Sequence, residues 1–347
     1  MYADCGFPDE DHERIFMRIL RRTTPAIVGA DGRALPESVA RLERPVINGI
    51  QQGVLVRGRS RGNPALVILH GGPGGAYIGA AREWFGPLEN RWVVVNWDER
   101  GAGLSYSRAV SPRDLTASQI AKDALAVVEW VRSNCGVERY FLLGHSFGTL
   151  VAPHVLEAAP GTFEGYFSIS TAPTNLLGER EAYAWTLDRA RSLNRRKATR
   201  DLERIGPPPY HSPPGGLDVR ARWTDRLGGA WQGTTGFRAS WKAIRHGTQY
   251  TWTDLFRRVS PGIRFWMSNV DESLGAVDLN TRFTQLPVPV TFVNGTADYM
   301  APTRAARRYF ELVEAPRKRF IELSGVGHYP FAQAPEAFAA AVTPDSW

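Results

Sequence analysis

The apolar run Tyr140 to Leu143 leads directly into Gly144-His145-Ser146-Phe147-Gly148, and a helical stretch to Ala158 follows. A strand that must become a helix within a few residues fits few architectures. The turn between them is sharp and strained, and glycines at 144 and 148 remove the side chains that would collide inside it. Such a turn lifts the Ser146 hydroxyl clear of a sheet edge, where another molecule can reach it. The neighbouring segments ask for the same architecture. Ala65 to Leu69 and Arg91 to Trp97 read as strands buried on both faces, and Gly165 to Ile169 as a further strand. Between Thr116 and Ser133 the residues Ile120, Ala124, Val127, Val128 and Val131 share one helical face, with Thr116 or Ser118 available as the cap. Strand and helix alternate as a parallel sheet with crossover helices requires.

The alternation stops at Thr174. Polar helical segments run from there to about Phe283, punctuated by Gly206-Pro-Pro-Pro209 and Pro213-Pro-Gly-Gly216. Strand patterns resume at Val288 to Val293 and Arg319 to Leu323, before a closing helix at Pro335 to Val342. The expected organisation is a core formed by residues 46–173 and 284–347, a mainly helical cap inserted at 174–283, and an N-terminal extension at 1–45. Ile15, Phe16, Ile19 and Leu20 recur at helical spacing in that extension, which is expected to pack on the body or cover a pocket mouth.

A serine hydroxyl is a poor nucleophile until a neighbouring base takes its proton, and that base needs a carboxylate to orient it. His328 lies in Gly325-Val326-Gly327-His328-Tyr329-Pro330, just after the last strand. Asp298 lies in Asn294-Gly295-Thr296-Ala297-Asp298, just after the strand before it. The chain order Ser146, Asp298, His328 is the one a strand-turn-helix serine demands. The other histidines lack this position: His70 is expected to fix the loop after it, His145 to turn into the core, and His12, His154, His211 and His246 follow no strand. Asp98 adjoins Arg100 and reads as half of an ion pair. Acyl transfer also needs donors aimed at the developing oxyanion. The loop His70 to Gly75 supplies exposed N–H groups, so Gly72 and Phe147 are the expected oxyanion donors, with Gly71 the alternative. The loop has neither the lysine nor the Ser/Thr that would make it a phosphate cradle.

Bulk properties exclude several other classes. The 347 residues are 43% hydrophobic and 22% charged, with no run near the roughly 20 apolar residues that span a bilayer. Met1 to Glu10 shows no leader pattern, so a cytoplasmic protein is expected. Cys5 and Cys135 suggest neither a metal site nor a redox pair. The net charge of +7 comes from scattered basic residues, all arginine but Lys122, Lys197, Lys242 and Lys318, without the basic, aromatic-interleaved stripe of a nucleic-acid binder.

Together, His70-Gly-Gly-Pro-Gly-Gly75, Trp97-Asp-Glu-Arg-Gly-Ala-Gly-Leu-Ser105, Gly144-His-Ser-Phe-Gly148, Asp298 and Gly327-His328 resemble the proline iminopeptidase family of α/β-hydrolases, from about Pro45 onward. The resemblance implies the α/β-hydrolase fold, a mostly parallel sheet flanked by helices beneath a helical cap. It implies a Ser146/Asp298/His328 triad, no cofactor, and release of an N-terminal residue from a small-molecule or short-peptide substrate. Members hold the substrate amine with cap glutamates, commonly in Trp-x-x-Trp-Glu, a segment this chain lacks. Glu179 and Glu181 are then the candidates for that role, with Trp185, Tyr329 and Gly71 as further substrate-binding residues. Six of the 11 tryptophans, at 185, 223, 231, 241, 252 and 266, lie in the insertion. Such a cap also suits a tailoring hydrolase, lactonase or acyltransferase acting on a bulky apolar metabolite. A third reading is a non-catalytic ligand-binding protein on the same fold.

Overall fold

The computed structural model describes residues 22–173, 176–210, 215–269 and 277–345. The helix expected around Ile15 to Leu20, together with Cys5, His12 and His211, lies outside them. The eight strands of the main sheet are β1 (Val39–Glu43), β2 (Val54–Gly58), β3 (Ala65–Leu69), β4 (Val93–Trp97), β5 (Tyr140–His145), β6 (Gly165–Ile169), β7 (Val290–Gly295) and β8 (Lys318–Leu323). Their spatial order is β1-β2-β4-β3-β5-β6-β7-β8. β2 runs antiparallel to both its neighbours, and every pairing from β4 across to β8 is parallel.

Every residue of β2 through β7 is buried, because helices and loops cover both faces. Alternate side chains go to opposite faces. Val67, Val95 and Leu142 join Ile120, Val127, Val131 and Val151 in one apolar layer, whereas Leu66, Val94 and Phe141 join Trp84, Phe85, Trp92 and Phe331 in the other. Helix α1 (Ala117–Cys135) starts at the Thr116 cap, whose side chain accepts from the Gln119 N–H, and stops at Gly136 in the left-handed region. Helix α2 (Gly148–Ala158) leaves the Ser146 turn and packs against α1.

The parallel strands send the loops after β3, β4, β5, β7 and β8 out of one edge, the place where sites form in such sheets. Register aligns them: Leu69 pairs with Gly144, and Leu323 with Gly295. The His70–Gly75 loop therefore emerges beside Ser146, and the loops carrying Asp298 and His328 emerge beside each other.

Between β6 and β7 lie helices α3 (Leu176–Ser192), α4 (Arg196–Ile205), α5 (Gly216–Arg226), α6 (Gly236–His246) and α7 (Ser260–Asn269). Tyr183, Ala190, Ala198, Leu202 and Leu227 give α3 to α5 a small core of their own, while Ile244 and Trp266 fasten α6 and α7 to the body.

The boundary expected at residue 45 needs correction. Val39–Glu43 is the edge strand of the sheet, and its mostly half-exposed side chains lack the continuous apolar run that marks a central strand. Residues ahead of it are also fastened down: Arg57 donates to Thr24 Oγ1 (2.6 Å) and the Pro25 carbonyl (2.7 Å), and Arg22 forms a two-pronged pair with Asp254. Among the described residues no helix is long and apolar enough to cross a membrane.

Candidate active site

Ser146 adopts φ 50°, a left-handed conformation that costs a residue with a side chain on the order of 1–3 kcal/mol. The surroundings hold it there. A Cβ on Gly144 would come within 2.6 Å of the Gly148 carbonyl oxygen, and one on Gly148 would run into the Leu69 carbonyl, so strand, turn and helix close only with glycine at both positions. The Ser146 N–H donates to the Ile169 carbonyl (3.0 Å), pinning the turn to β6.

The structure brings the three residues expected to act together within hydrogen-bonding distance. Ser146 Oγ lies 2.9 Å from His328 Nε2, and His328 Nδ1 lies 2.8 Å from Asp298 Oδ2. A carboxylate can only accept, so Nδ1 carries the proton and Nε2 is left to receive one from the serine. The second Asp298 oxygen accepts from the Met300 and Ala301 N–H groups, 2.9 Å each, which fixes the carboxylate plane. His328 and Asp298 are buried, whereas Ser146 is half-exposed on the floor of a cavity of about 730 Å³. That volume suits a ligand of drug or short-peptide size.

Gly72 lines the cavity with φ 141°, where a Cβ would strike the Gly74 nitrogen at 2.6 Å. Among the described residues neither its N–H nor that of Phe147 is spent on another partner. Gly71 is buried against His145 and Tyr77. Helix α7 backs this corner: Trp266 meets the Phe147 ring edge-on at 5.7 Å and sends its indole N–H to the Arg100 carbonyl (2.9 Å).

The histidines flanking the two loops act as fixed struts. His70 is buried, and desolvation lowers its pKa to about 4, so it is neutral near pH 7. Its Nδ1–H donates to the Gly71 carbonyl (3.0 Å) while Nε2 accepts the Glu99 N–H (3.1 Å), which ties the His70–Gly75 loop to the loop after β4. His145 is held neutral by burial and by the nearby His328, and its ring has turned into the core as expected.

Three expectations are corrected. Asp98 does not pair with Arg100: Arg100 forks onto Asp123 at 2.8 and 2.9 Å, and Asp98 accepts from Tyr250 Oη (2.7 Å) and the Leu104 N–H (2.8 Å). The chain turns just beyond the end of β4, and each side chain finds a partner across the fold. Glu179 and Glu181 do not line the cavity. Glu179 is consumed by a two-pronged ion pair with the buried Arg220 and by the Tyr210 hydroxyl (2.8 Å). Trp185 lies flat against Tyr299, centroids 4.1 Å apart, and is absent from the cavity wall. Of the six insertion tryptophans only Trp241 lines it; Tyr329 and Gly71 also do.

The cavity wall contains residues not anticipated from sequence. Asp218, Ala221, Arg222, Asp225 and Arg226 form one stripe of α5, and Phe237, Trp241 and Ile244 one stripe of α6. The spacing of i, i+3, i+4, i+7 was visible, but a charged helical stripe looks the same whether it faces water or a cavity. Asp225 is half-buried and accepts from the Gly236 N–H at 2.6 Å; burial raises its pKa.

Residues 66–341 match the model of the Alpha/beta hydrolase family. The chain is 29% identical over 307 residues to the probable aminopeptidase YbaC of Bacillus subtilis (strain 168), covering 88% of this chain and 96% of that one. A probable proline iminopeptidase of Streptomyces coelicolor is 35% identical over 104 residues, 30% of this chain and 31% of the relative. Among solved structures, a proline iminopeptidase-related protein of Thermus thermophilus superposes with a TM-score of 0.62 at 25% identity, over 87% of this chain and 95% of that one. With the family model spanning most of the sheet and the insertion alike, this chain belongs to the alpha/beta hydrolase family and resembles its proline iminopeptidase-like members.

Proposed function

We propose that the protein is a serine hydrolase that cleaves an amide or ester bond through an acyl-Ser146 intermediate, with release of an N-terminal residue from a short peptide as its leading activity. The observation that carries this reading is the unbroken line from Ser146 Oγ through His328 to Asp298, opening on a cavity of ligand size. In this mechanism His328 Nε2 takes the hydroxyl proton as Ser146 Oγ attacks the carbonyl carbon. Asp298 stabilises the imidazolium that results. The oxyanion forms against the Gly72 and Phe147 N–H groups, donors of a kind worth roughly 3–4 kcal/mol each in transition-state stabilisation. His328 then protonates the departing amine or alcohol, and a water activated by the same imidazole releases the acyl group. Of the two wall carboxylates, Asp218 and Asp225, the half-buried Asp225 is assigned the substrate ammonium, the role that Glu179, held by Arg220, cannot fill.

An ester or lactone of a bulky apolar compound is the second reading. It is favoured by the wall of Phe237, Trp241, Ile244, Ile263, Met267 and Met300. The test is labelling with a fluorophosphonate probe, followed by turnover of Pro-p-nitroanilide beside p-nitrophenyl esters. Labelling of Ser146 with arylamide turnover supports the aminopeptidase, and labelling with ester turnover alone supports the second reading. An unlabelled, inert protein would leave only a ligand-binding role.

A further inference from the structure

On the other side of α7 lies a second concavity, of about 1070 Å³, which among the described residues shares no lining residue with the cavity above Ser146. The helix partitions the two: Ile263 and Met267 face the Ser146 cavity, and Arg264, Phe265 and Ser268 face the groove. Five arginines, at 22, 108, 257, 258 and 264, line the groove, and among the described residues its one carboxylate is Asp254. Asp254 is already committed, buried beneath the Arg22 fork at 2.7 and 2.8 Å and bonded to the Thr251 N–H and hydroxyl. Arg258 reaches it at 3.5 Å. Arg108, Arg257 and Arg264 are exposed and pair with no carboxylate among the described residues.

Exposed arginines on other faces of the molecule do find glutamates: Arg139 with Glu164, Arg191 with Glu203, Arg282 with Glu157, Arg307 with Glu322. In the groove the cations instead crowd one another. The Arg44 guanidinium behind the wall is pushed below its ordinary value by burial and then by the charges of Arg258 and Arg22. Like charges gathered in a concave site, with Asp254 the one balancing anion among its described residues, raise the local potential and favour a multiply charged anion.

We propose that this groove binds a small molecule carrying two or more phosphoryl groups. Guanidinium forks match phosphate oxygens two at a time, and a ligand with a single carboxylate would leave two of Arg108, Arg257 and Arg264 unmatched. Thr253, Ser107 and Ser268 add hydroxyl donors, and Tyr106, Phe256 and Phe265 add aromatic walls for an attached ring. Phe256 is 71% exposed, an apolar surface with no cover among the groove's described walls.

The experiment is titration of the full-length protein with sodium tripolyphosphate near physiological ionic strength, read by calorimetry. Saturable binding at one site per chain is expected. In R257Q/R264Q it should weaken by at least about tenfold, a loss on the scale of one charge-assisted bidentate contact. R108Q gives an independent second reading of the same wall. R139Q/R191Q, which removes equal charge from paired surface sites, should bind as the parent does, and orthophosphate should bind at least about tenfold more weakly than tripolyphosphate. Absence of saturable binding, equal loss in the control, or undiminished affinity in R257Q/R264Q would each overturn the assignment. Thermal melting of every variant confirms that the fold is retained.

Discussion

The His145 ring donates from Nε2 to the main-chain carbonyl of His328, 2.7 Å away, so the residue beside Ser146 carries the loop that presents the imidazole. A carbonyl oxygen can only accept, so the His145 proton sits on Nε2 and its Nδ1 must accept, which it does from Tyr77 Oη at 2.7 Å. Tyr77→Phe removes that donor from a buried ring. Chemical denaturation should show a loss of about 1–3 kcal/mol, the cost of stranding a buried polar atom. Probe labelling of Ser146 should persist at a reduced rate, because the lost bond lies behind the loop.

Removing the proposed nucleophile and removing the proposed orienting acid have different signatures. Ser146→Ala should abolish labelling and lower turnover by about 10⁶-fold while leaving the melting temperature within a few degrees. Asp298→Asn retains an oxygen for the Met300 and Ala301 N–H groups but presents the wrong partner to His328 Nδ1, and kcat should fall by about 10⁴-fold with KM little changed. Steady-state kinetics on whichever substrate class is turned over distinguishes the two.

Carboxylates in the insertion should divide by role. Glu179→Gln weakens the pair with Arg220, which is 4% exposed, and should cost roughly 1–3 kcal/mol in unfolding free energy without altering KM. Asp225→Asn keeps one oxygen for the Gly236 N–H and gives up the longer, exposed bond from the Phe237 N–H (3.3 Å), so stability should fall by no more than about 1 kcal/mol. It should raise KM for a free-amine arylamide by about tenfold or more, and leave KM for a neutral ester unchanged. An unchanged arylamide KM would remove Asp225 from amine recognition.

Burial raises the Asp98 pKa from 3.8 to about 7, against the pull of donors from Leu104, Tyr250 and Ile78. The native state therefore keeps a proton that the unfolded chain releases above about pH 4. The stability contributed by Asp98 falls as pH rises from about 4 to about 7. His70, lowered from 6.5 to about 4, acts in the opposite sense over much of that window, so the parent protein alone is a poor reporter. The measurement is the stability of the parent minus that of Asp98→Asn, which should decline from pH 4 to pH 7. A flat difference would show that Asp98 ionises normally.

The central sheet and the Ser146 turn were legible in the linear sequence because their constraints are local. A strand buried on both faces must be apolar throughout, and a strand-to-helix reversal tolerates glycine and little else. His328 and Asp298 were legible because strand ends on a parallel sheet share one edge. The edge strand Val39–Glu43 escaped because half-exposed positions leave no periodic mark, and the strand depends on β2 for its pairing.

What a side chain faces is another matter. Glu179 and Asp225 are both acidic residues on helices of one insertion, yet an ion pair with Arg220 removes the first from the cavity while the turn at Gly236 sets the second in its wall. Asp98 and Arg100 are two residues apart and find partners in Tyr250 and Asp123. Sequence alone determined the sheet, the serine turn and the strand ends that bring Ser146, Asp298 and His328 together, because these follow from backbone geometry and burial. Tertiary structure alone decided which charges pair with one another among the described residues and which do not, because Coulomb pairing depends on distances that the packing of remote helices sets.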